Sequence, residues 1–260
     1  MIKLLLIGIG TGNPDHITLQ AIKALQTADL ILLPLKGDGK SDLAEVRRTI
    51  LTEQLQDGLA RIVAFEMPTR EPNPSDYIQA VETWHDEIAA SWTQHIETAL
   101  LDKPGTVALL VWGDPSLYDS TLRIAERLKE KRMVGEISVI PGVTSISALT
   151  AAHAMPLNTL GDSVVITTGR QLRDHGWPTG ADTVVVMLDG QCTFATLLSK
   201  MPEAERIRIW WGAYLGLPFE TILHGSLGDM SPVIIETRRE LRARHGWIMD
   251  TYVLRRTPSQ

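Results

Sequence analysis

Residues 106–112, Thr-Val-Ala-Leu-Leu-Val-Trp, are apolar in both alternating registers, and Gly113-Asp114-Pro115 closes the run. The run is too short for an ordinary helix and lacks the polar-out alternation of a half-exposed strand. It therefore predicts a strand buried on both faces, which belongs in a parallel sheet covered by helices on each side. The flanking sequence agrees. Residues 3–9, 30–33, 61–65 and 137–140 read as further strands, and residues 18–25, 43–55, 123–128 and 146–152 as helices between them. Tyr77, Val81, Trp84, Ile88, Trp92, Ile96 and Ala99 recur at helical spacing, which predicts a long amphipathic helix with both tryptophans in the core. Strand–helix alternation of this kind specifies an α/β fold.

The second half has another rhythm. Residues 164–168, 183–188, 207–211 and 221–224 are β-like with fewer helices between them, which predicts a second α/β domain with a mixed sheet. The turn chemistry at residues 114–119 places the boundary there, giving domains 1–117 and 118–260. The arginine-rich segment 238–244, with Arg255 and Arg256, reads as a solvated helix face and tail.

Composition excludes some function classes. The chain has 260 residues, 44% of them hydrophobic and 22% charged, enough apolar mass for a large core and too much for disorder. Lys plus Arg is 25 against 31 for Asp plus Glu, a formal charge of −6, which argues against nucleic acid as partner. The single cysteine, Cys192, cannot form an internal disulfide or a cysteine metal cluster, so a reducing, cytoplasmic location is expected. No apolar run reaches the length of a bilayer span, and the opening Met1-Ile-Lys-Leu-Leu-Leu-Ile reads as a buried strand rather than a signal core. No metal site is expected, because nothing has zinc-ligand spacing.

Three motifs follow strands. Ile7-Gly8-Ile9-Gly10-Thr11-Gly12-Asn13-Pro14 lets backbone approach a ligand closely, or simply turns the chain. It fails the dinucleotide fingerprint, which needs glycine at position 13 and an acid where Leu33-Pro34 stands. Trp112-Gly113-Asp114-Pro115-Ser116-Leu117-Tyr118 places a carboxylate at the sheet's carboxyl edge, where Asp114 is either a ligand contact or a turn cap. Val139-Ile140-Pro141-Gly142-Val143-Thr144-Ser145 repeats the strand–turn–helix pattern with hydroxyls at the helix start. All three loops should therefore line one crevice. His16 reads as a first-turn residue of the following helix.

These blocks, with residues 151–157 (Ala-Ala-His-Ala-Met-Pro-Leu), resemble the signature segments of the tetrapyrrole methylase family in order and spacing across the chain. The first loop departs from the family pattern, with Thr11 where proline is usual and Asn13 where aspartate is usual. The resemblance implies two α/β domains with S-adenosylmethionine held in a cleft between them, S-adenosylhomocysteine as product, and a homodimer. Within the family, residues 210–216 and 165–170 resemble the enzymes that methylate precorrin-5 at C1 with release of acetate. Another precorrin or uroporphyrinogen methylase, or a cofactor-binding module without chemistry, stays open on these residues.

By that resemblance Gly10, Pro14, Gly113, Asp114, Thr144, Ser145, Met187, Ala213 and Gly225 contact the cofactor. Deacetylation requires a base, for which Asp114, Glu66 and Tyr118 are the candidates. A polycarboxylate precorrin requires cations in an acidic protein; Arg70 and Arg170 are the candidates to clamp it, with Lys36, Lys40 and Arg47 also near loops.

Overall fold

The computed structural model describes residues 1–35, 41–54, 61–69, 76–201 and 204–257. The chain forms two compact units, Met1–Thr144 and Ser145–Gln260.

Unit 1 contains β1 (Ile2–Gly8), α1 (Leu19–Gln26), β2 (Leu30–Leu35), α2 (Ser41–Gln54), β3 (Arg61–Glu66), α3 (Tyr77–Leu100), β4 (Gly105–Val111), α4 (Thr121–Glu130) and β5 (Val134–Ile140). The five strands form an all-parallel sheet in the order β3-β2-β4-β1-β5. Alternate side chains feed two cores, as a doubly covered sheet demands. Leu4, Leu6, Leu30, Leu32, Val107 and Leu109 pack with Ile88, Trp92 and Ile96 of α3 and Ile124 and Leu128 of α4. Leu5, Ile7, Ile31, Ala108 and Leu110 face the other way, onto Ala21 and Leu25 of α1 and Ile50 and Leu51 of α2. The tryptophans of the long helix are core residues as expected: Trp92 is buried, and Trp84 packs against the same cluster while donating from Nε1 to the Pro68 carbonyl at 2.8 Å.

The two core lists locate the ligand edge. The chain leaves β1 and β2 for helices on one face, but leaves β3 and β4 for helices on the other. The neighbours β1 and β4 thus send their connections to opposite sides, which makes their junction the topological switch point.

Unit 2 contains α5 (Ser145–Ala152), β6 (Val164–Thr168), α6 (Gly169–His175), β7 (Thr183–Met187), α7 (Phe194–Lys200), β8 (Ile207–Ala213), β9 (Thr221–Ser226), α8 (Leu227–His245) and β10 (Asp250–Arg256). Its strands run β6-β7-β10-β8-β9. Only β6 and β7 are parallel; the remaining pairs are antiparallel, so the sheet is mixed as expected.

Two sequence expectations change. The boundary near 117/118 moves to 144/145, because β5 pairs along β1 from Leu4↔Ile137 to Ile7↔Ile140. The Gly113-Asp114-Pro115 turn marks the end of a strand within the sheet, not the end of a domain. Arg255 and Arg256 are not a solvated tail but lie on β10, the central strand of sheet two, with their guanidinium groups over the rings of Trp210 and Trp177. Antiparallel pairing on both sides buries Tyr252, Val253 and Leu254 between them. Among the described residues, no helix is long and apolar enough to cross a membrane.

Candidate active site

The loops after β1 and β4 are joined backbone to backbone at the switch point. Gly113 N donates to the Gly10 carbonyl at 2.7 Å, Gly10 N to the Gly113 carbonyl at 3.3 Å, and Ile9 N to the Val111 carbonyl at 2.9 Å. Gly10 holds this bridge with φ +76°, a conformation that costs a residue with a side chain energy and glycine little. The loop after β5 closes from the side. A Cβ on Gly142 would stand 2.1 Å from the Gly113 oxygen, and one on Gly8 2.6 Å from the Gly142 nitrogen. By contrast, nothing lies within 4 Å of where a Cβ of Gly113 would point. The backbone there is fixed from behind and open in front.

Asp114 is the staple of this arrangement. Its Oδ1 accepts from Ser116 N at 2.8 Å and from the Ser116 hydroxyl, and its Oδ2 accepts from Gly142 N at 2.9 Å. Burial alone would raise the pKa of this carboxyl, but the hydrogen bonds from Ser116 and Gly142 outweigh it and hold the group below its ordinary 3.8. Such a carboxylate positions two loops. Its oxygens accept from three donors, which ties the carboxylate to the loop backbone. Tyr118 lies four residues on, in the same loop, with φ +50°. Burial pushes its phenol pKa up, so it stays protonated near neutrality and is a donor rather than a base. Glu66 ends β3, the edge strand, separated from β4 by β2. At about 4.8 Å per strand it stands roughly 10 Å away across the sheet, so the structure does not bring it to Asp114.

The first loop then makes a 3₁₀ turn, Pro14–His16, capped by Asn13, whose Oδ1 accepts from Asp15 N at 3.0 Å. His16 is the last residue of that turn, not part of a helix; α1 begins at Leu19 behind its cap Thr18. The His16 Nδ1 is 3.1 Å from Oγ1 of the buried Thr11. Its Cβ would lie 2.7 Å from any Cβ on Gly10, so the absence of a side chain at Gly10 admits the imidazole.

Arg47 of α2 reaches the same end of the sheet for a local reason. The carbonyls of Asp29, just before β2, and of Leu35, at its end, accept from Arg61 N at 3.2 Å and Met67 N at 3.0 Å. The pairing of β2 with β4 ends at Leu32↔Leu109, and Pro34, two residues on, has no N–H to extend it. Arg47 Nε approaches the Leu110 carbonyl instead, at 3.4 Å, with its guanidinium 5.8 Å from the Trp112 ring centroid. Burial lowers its pKa to about 10, partly countered by Asp119, and it remains cationic at neutrality. Arg70, Lys36 and Lys40 lie outside the described residues. Arg170 is the second residue of α6, exposed, in unit 2. Thr144 ends unit 1, and Ser145 opens α5 of unit 2.

In unit 2, Met187 and Ala213 end β7 and β8 at the same end of the sheet, since Tyr252 pairs with Val186 while Thr251 pairs with Gly212. Gly225 does not join them. It pairs with Ile209, four residues back along β8, roughly 13 Å from the level of Ala213, because β9 runs antiparallel to β8. Two acids missed by sequence reasoning support the Met187 end. Asp189 accepts from Thr193 N at 2.6 Å, Thr193 Oγ1 at 2.9 Å, Gln191 N at 3.1 Å and Tyr252 OH at 2.7 Å. Asp250 forms a buried ion pair with Arg238 at 3.0 Å and accepts from Trp211 Nε1 at 2.9 Å. The signal that could have found Asp189 is the one that singled out Asp114: an acid just after a buried apolar run. Among the described residues, no group of three or more His, Cys, Asp or Glu side chains is placed to hold a metal.

A parallel sheet with glycine loops bridged at its switch point, followed by a mixed sheet, has known counterparts. The sequence profile of the Tetrapyrrole (Corrin/Porphyrin) Methylases matches residues 3–231. The chain belongs to the tetrapyrrole methylases. A family relative from Sinorhizobium sp, precorrin-6A synthase [deacetylating], is 46% identical over 260 residues, covering 98% of this chain and 96% of the relative. The crystal structure of a cobalamin synthesis related protein (CobF) from Corynebacterium diphtheriae superposes with a TM-score of 0.82 at 36% identity, over 99% of this chain and 100% of that one. Uroporphyrin-III C-methyl transferase from Thermus thermophilus, complexed with S-adenyl homocysteine, shares the fold: TM-score 0.61 at 19% identity, over 97% of this chain and 96% of that one.

Proposed function

We propose that this chain is an S-adenosylmethionine-dependent methyltransferase of cobalamin biosynthesis that methylates precorrin-5 at C1, with release of acetate, to give precorrin-6A. The observation that carries this is the near-full-length identity to a precorrin-6A synthase [deacetylating], spread over both units. The glycine cradle fits the cofactor. Gly113 is braced by Gly10 and open where a side chain would stand, which is what a ligand lying against backbone needs. Gly10, Pro14, Gly113, Asp114, Thr144, Ser145, Met187 and Ala213 are the residues proposed to contact it.

When bound, S-adenosylmethionine supplies an already activated sulfonium methyl. The protein's own task in methyl transfer is therefore in-line placement and exclusion of water. Asp114 contributes by fixing two loops against each other rather than by taking a proton. Arg70 and Arg170 are the proposed partners of the substrate carboxylates, with charge-assisted pairs outweighing the repulsion of an acidic protein. The enzyme is proposed to work as a homodimer in the cytoplasm, where a single cysteine stays reduced.

The test is incubation of the purified protein with precorrin-5 and S-adenosylmethionine, with mass analysis of the corrinoid and quantitation of acetate. Methylated product and acetate in equal amounts are expected. Full methylation without acetate would instead assign the chain to a simpler methylase of the family.

A further inference from the structure

We propose that His16, held by Thr11, is the general base that activates water for deacetylation. This rests on the activity proposed above, because methyl transfer from a sulfonium needs no protein base whereas acetyl release does. Water must form a bond to the acetyl carbonyl carbon and surrender a proton. The bond between that carbon and the ring carbon then breaks, its electron pair passing into the conjugated macrocycle. Acetate leaves, and the ring carbon uses the electron pair to take the sulfonium methyl. One water is consumed and two protons are released, the first to the base.

The residues expected to take that proton are accounted for otherwise. Both oxygens of Asp114 receive hydrogen bonds from Ser116 and Gly142. The Tyr118 phenol is held protonated by burial. Glu66 belongs to the far edge of the sheet. Of the other histidines of unit 1, His85 is buried in α3 beside Trp84, and His95 is bonded through Nδ1 to the Ser91 carbonyl and packed on Phe65. Of the histidines of unit 1, His16 alone stands in a loop that forms the switch-point bridge, with its Cβ packed on Gly10.

Its hydrogen bond is the one a base requires. A threonine hydroxyl can accept from Nδ1–H, which places the lone pair on Nε2, and it can go on accepting once the ring is an imidazolium. Thr11 thus orients the ring in both protonation states, as the third member of a catalytic array orients a base. The turn itself does not need this contact. His16 N already donates to the Asn13 carbonyl at 2.9 Å, Ile17 N to the Pro14 carbonyl at 3.2 Å, and Asp15 N to the Asn13 side chain. The side-chain bond fixes the ring, not the backbone.

The experiment compares the unmodified protein with His16→Gln, His16→Ala, Thr11→Val and Thr11→Ser. Single-turnover acetate release from precorrin-5 and calorimetric binding of S-adenosylhomocysteine are both measured. His16→Gln should bind S-adenosylhomocysteine normally and release acetate about 100-fold more slowly, the usual share of a general base. Added imidazole should restore acetate release in His16→Ala, which a purely structural histidine would not allow. Thr11→Val should slow acetate release by about 10- to 100-fold, the scale of a misplaced group, with Thr11→Ser close to the unmodified rate. Wild-type acetate release from a His16→Gln protein that binds S-adenosylhomocysteine overturns the assignment. If the His16 variants fail to fold, an unimpaired Thr11→Val overturns it equally. An unmodified protein that methylates without releasing acetate refutes the proposed activity itself, and the role of His16 with it.

Discussion

Replacing Gly142 with alanine tests whether the three loops are as close as they stand. The new Cβ would meet the Gly113 oxygen at 2.1 Å and the Gly8 carbonyl carbon and Cα at 2.8 and 2.9 Å. These are backbone atoms, so no side chain can swing away. An ordinary contact is about 3.5 Å, and the loops must part by more than about 1 Å. Overpacking of this kind costs about 1–3 kcal/mol. Parting the loops also stretches the 2.9 Å bond from Gly142 N to the Asp114 carboxylate, and a bond to a charged group is worth about 1.5–3 kcal/mol. The terms overlap, so about 3–5 kcal/mol is expected, a large part of the 5–15 kcal/mol that typically holds a domain together. Urea unfolding followed by tryptophan fluorescence, with S-adenosylhomocysteine calorimetry, measures both consequences. Gly228→Ala is the control. Gly228 is the second residue of α8 with nothing within 4 Å of its missing side chain, and alanine there should match or exceed glycine by up to about 1 kcal/mol. A Gly142→Ala protein within 1 kcal/mol of the original, with unchanged ligand affinity, would refute the close approach of the loops.

His85 is 2% exposed with neither ring nitrogen hydrogen-bonded; burial first, then the nearby Arg127, lowers its pKa below 6.5. The unfolded chain therefore takes up a proton that the folded protein refuses, so stability is full above about pH 6.5 and declines as the pH falls toward the lowered folded value. His85→Leu should gain about 1 kcal/mol and lose part of this acid sensitivity, seen in urea midpoints between neutral and mildly acidic buffers. Arg238→Met should cost about 3–5 kcal/mol by leaving Asp250 buried without its cation, and adding Asp250→Asn should recover part of the loss in thermal midpoint.

Much of unit 1 was legible because parallel strands buried on both faces leave continuous apolar runs, and helices leave a stripe such as Tyr77 to Ala99. β10 was not legible. Its apolar centre is short and follows an arginine-rich helix, and its arginines looked solvated although they lie over Trp210 and Trp177. Likewise the domain boundary was misplaced because a Gly-Asp-Pro turn reads the same at a strand end as in a linker.

The sequence by itself determined where backbone must come close to something, since glycine spacing after a strand is a local property. It also determined the family, whose blocks are contiguous segments. Which neighbours those glycines meet was decided only by tertiary structure, through the order β3-β2-β4-β1-β5 that brings Gly8, Gly10, Gly113 and Gly142 together from three separate loops. The same holds for the site chemistry. A carboxylate at position 114 can be a base or a staple, and a histidine at position 16 can be a turn residue or a base. The choice depends on which donors and acceptors arrive from elsewhere in the chain, and pairing between residues as distant as Asp114 and Gly142 leaves no periodic trace in sequence.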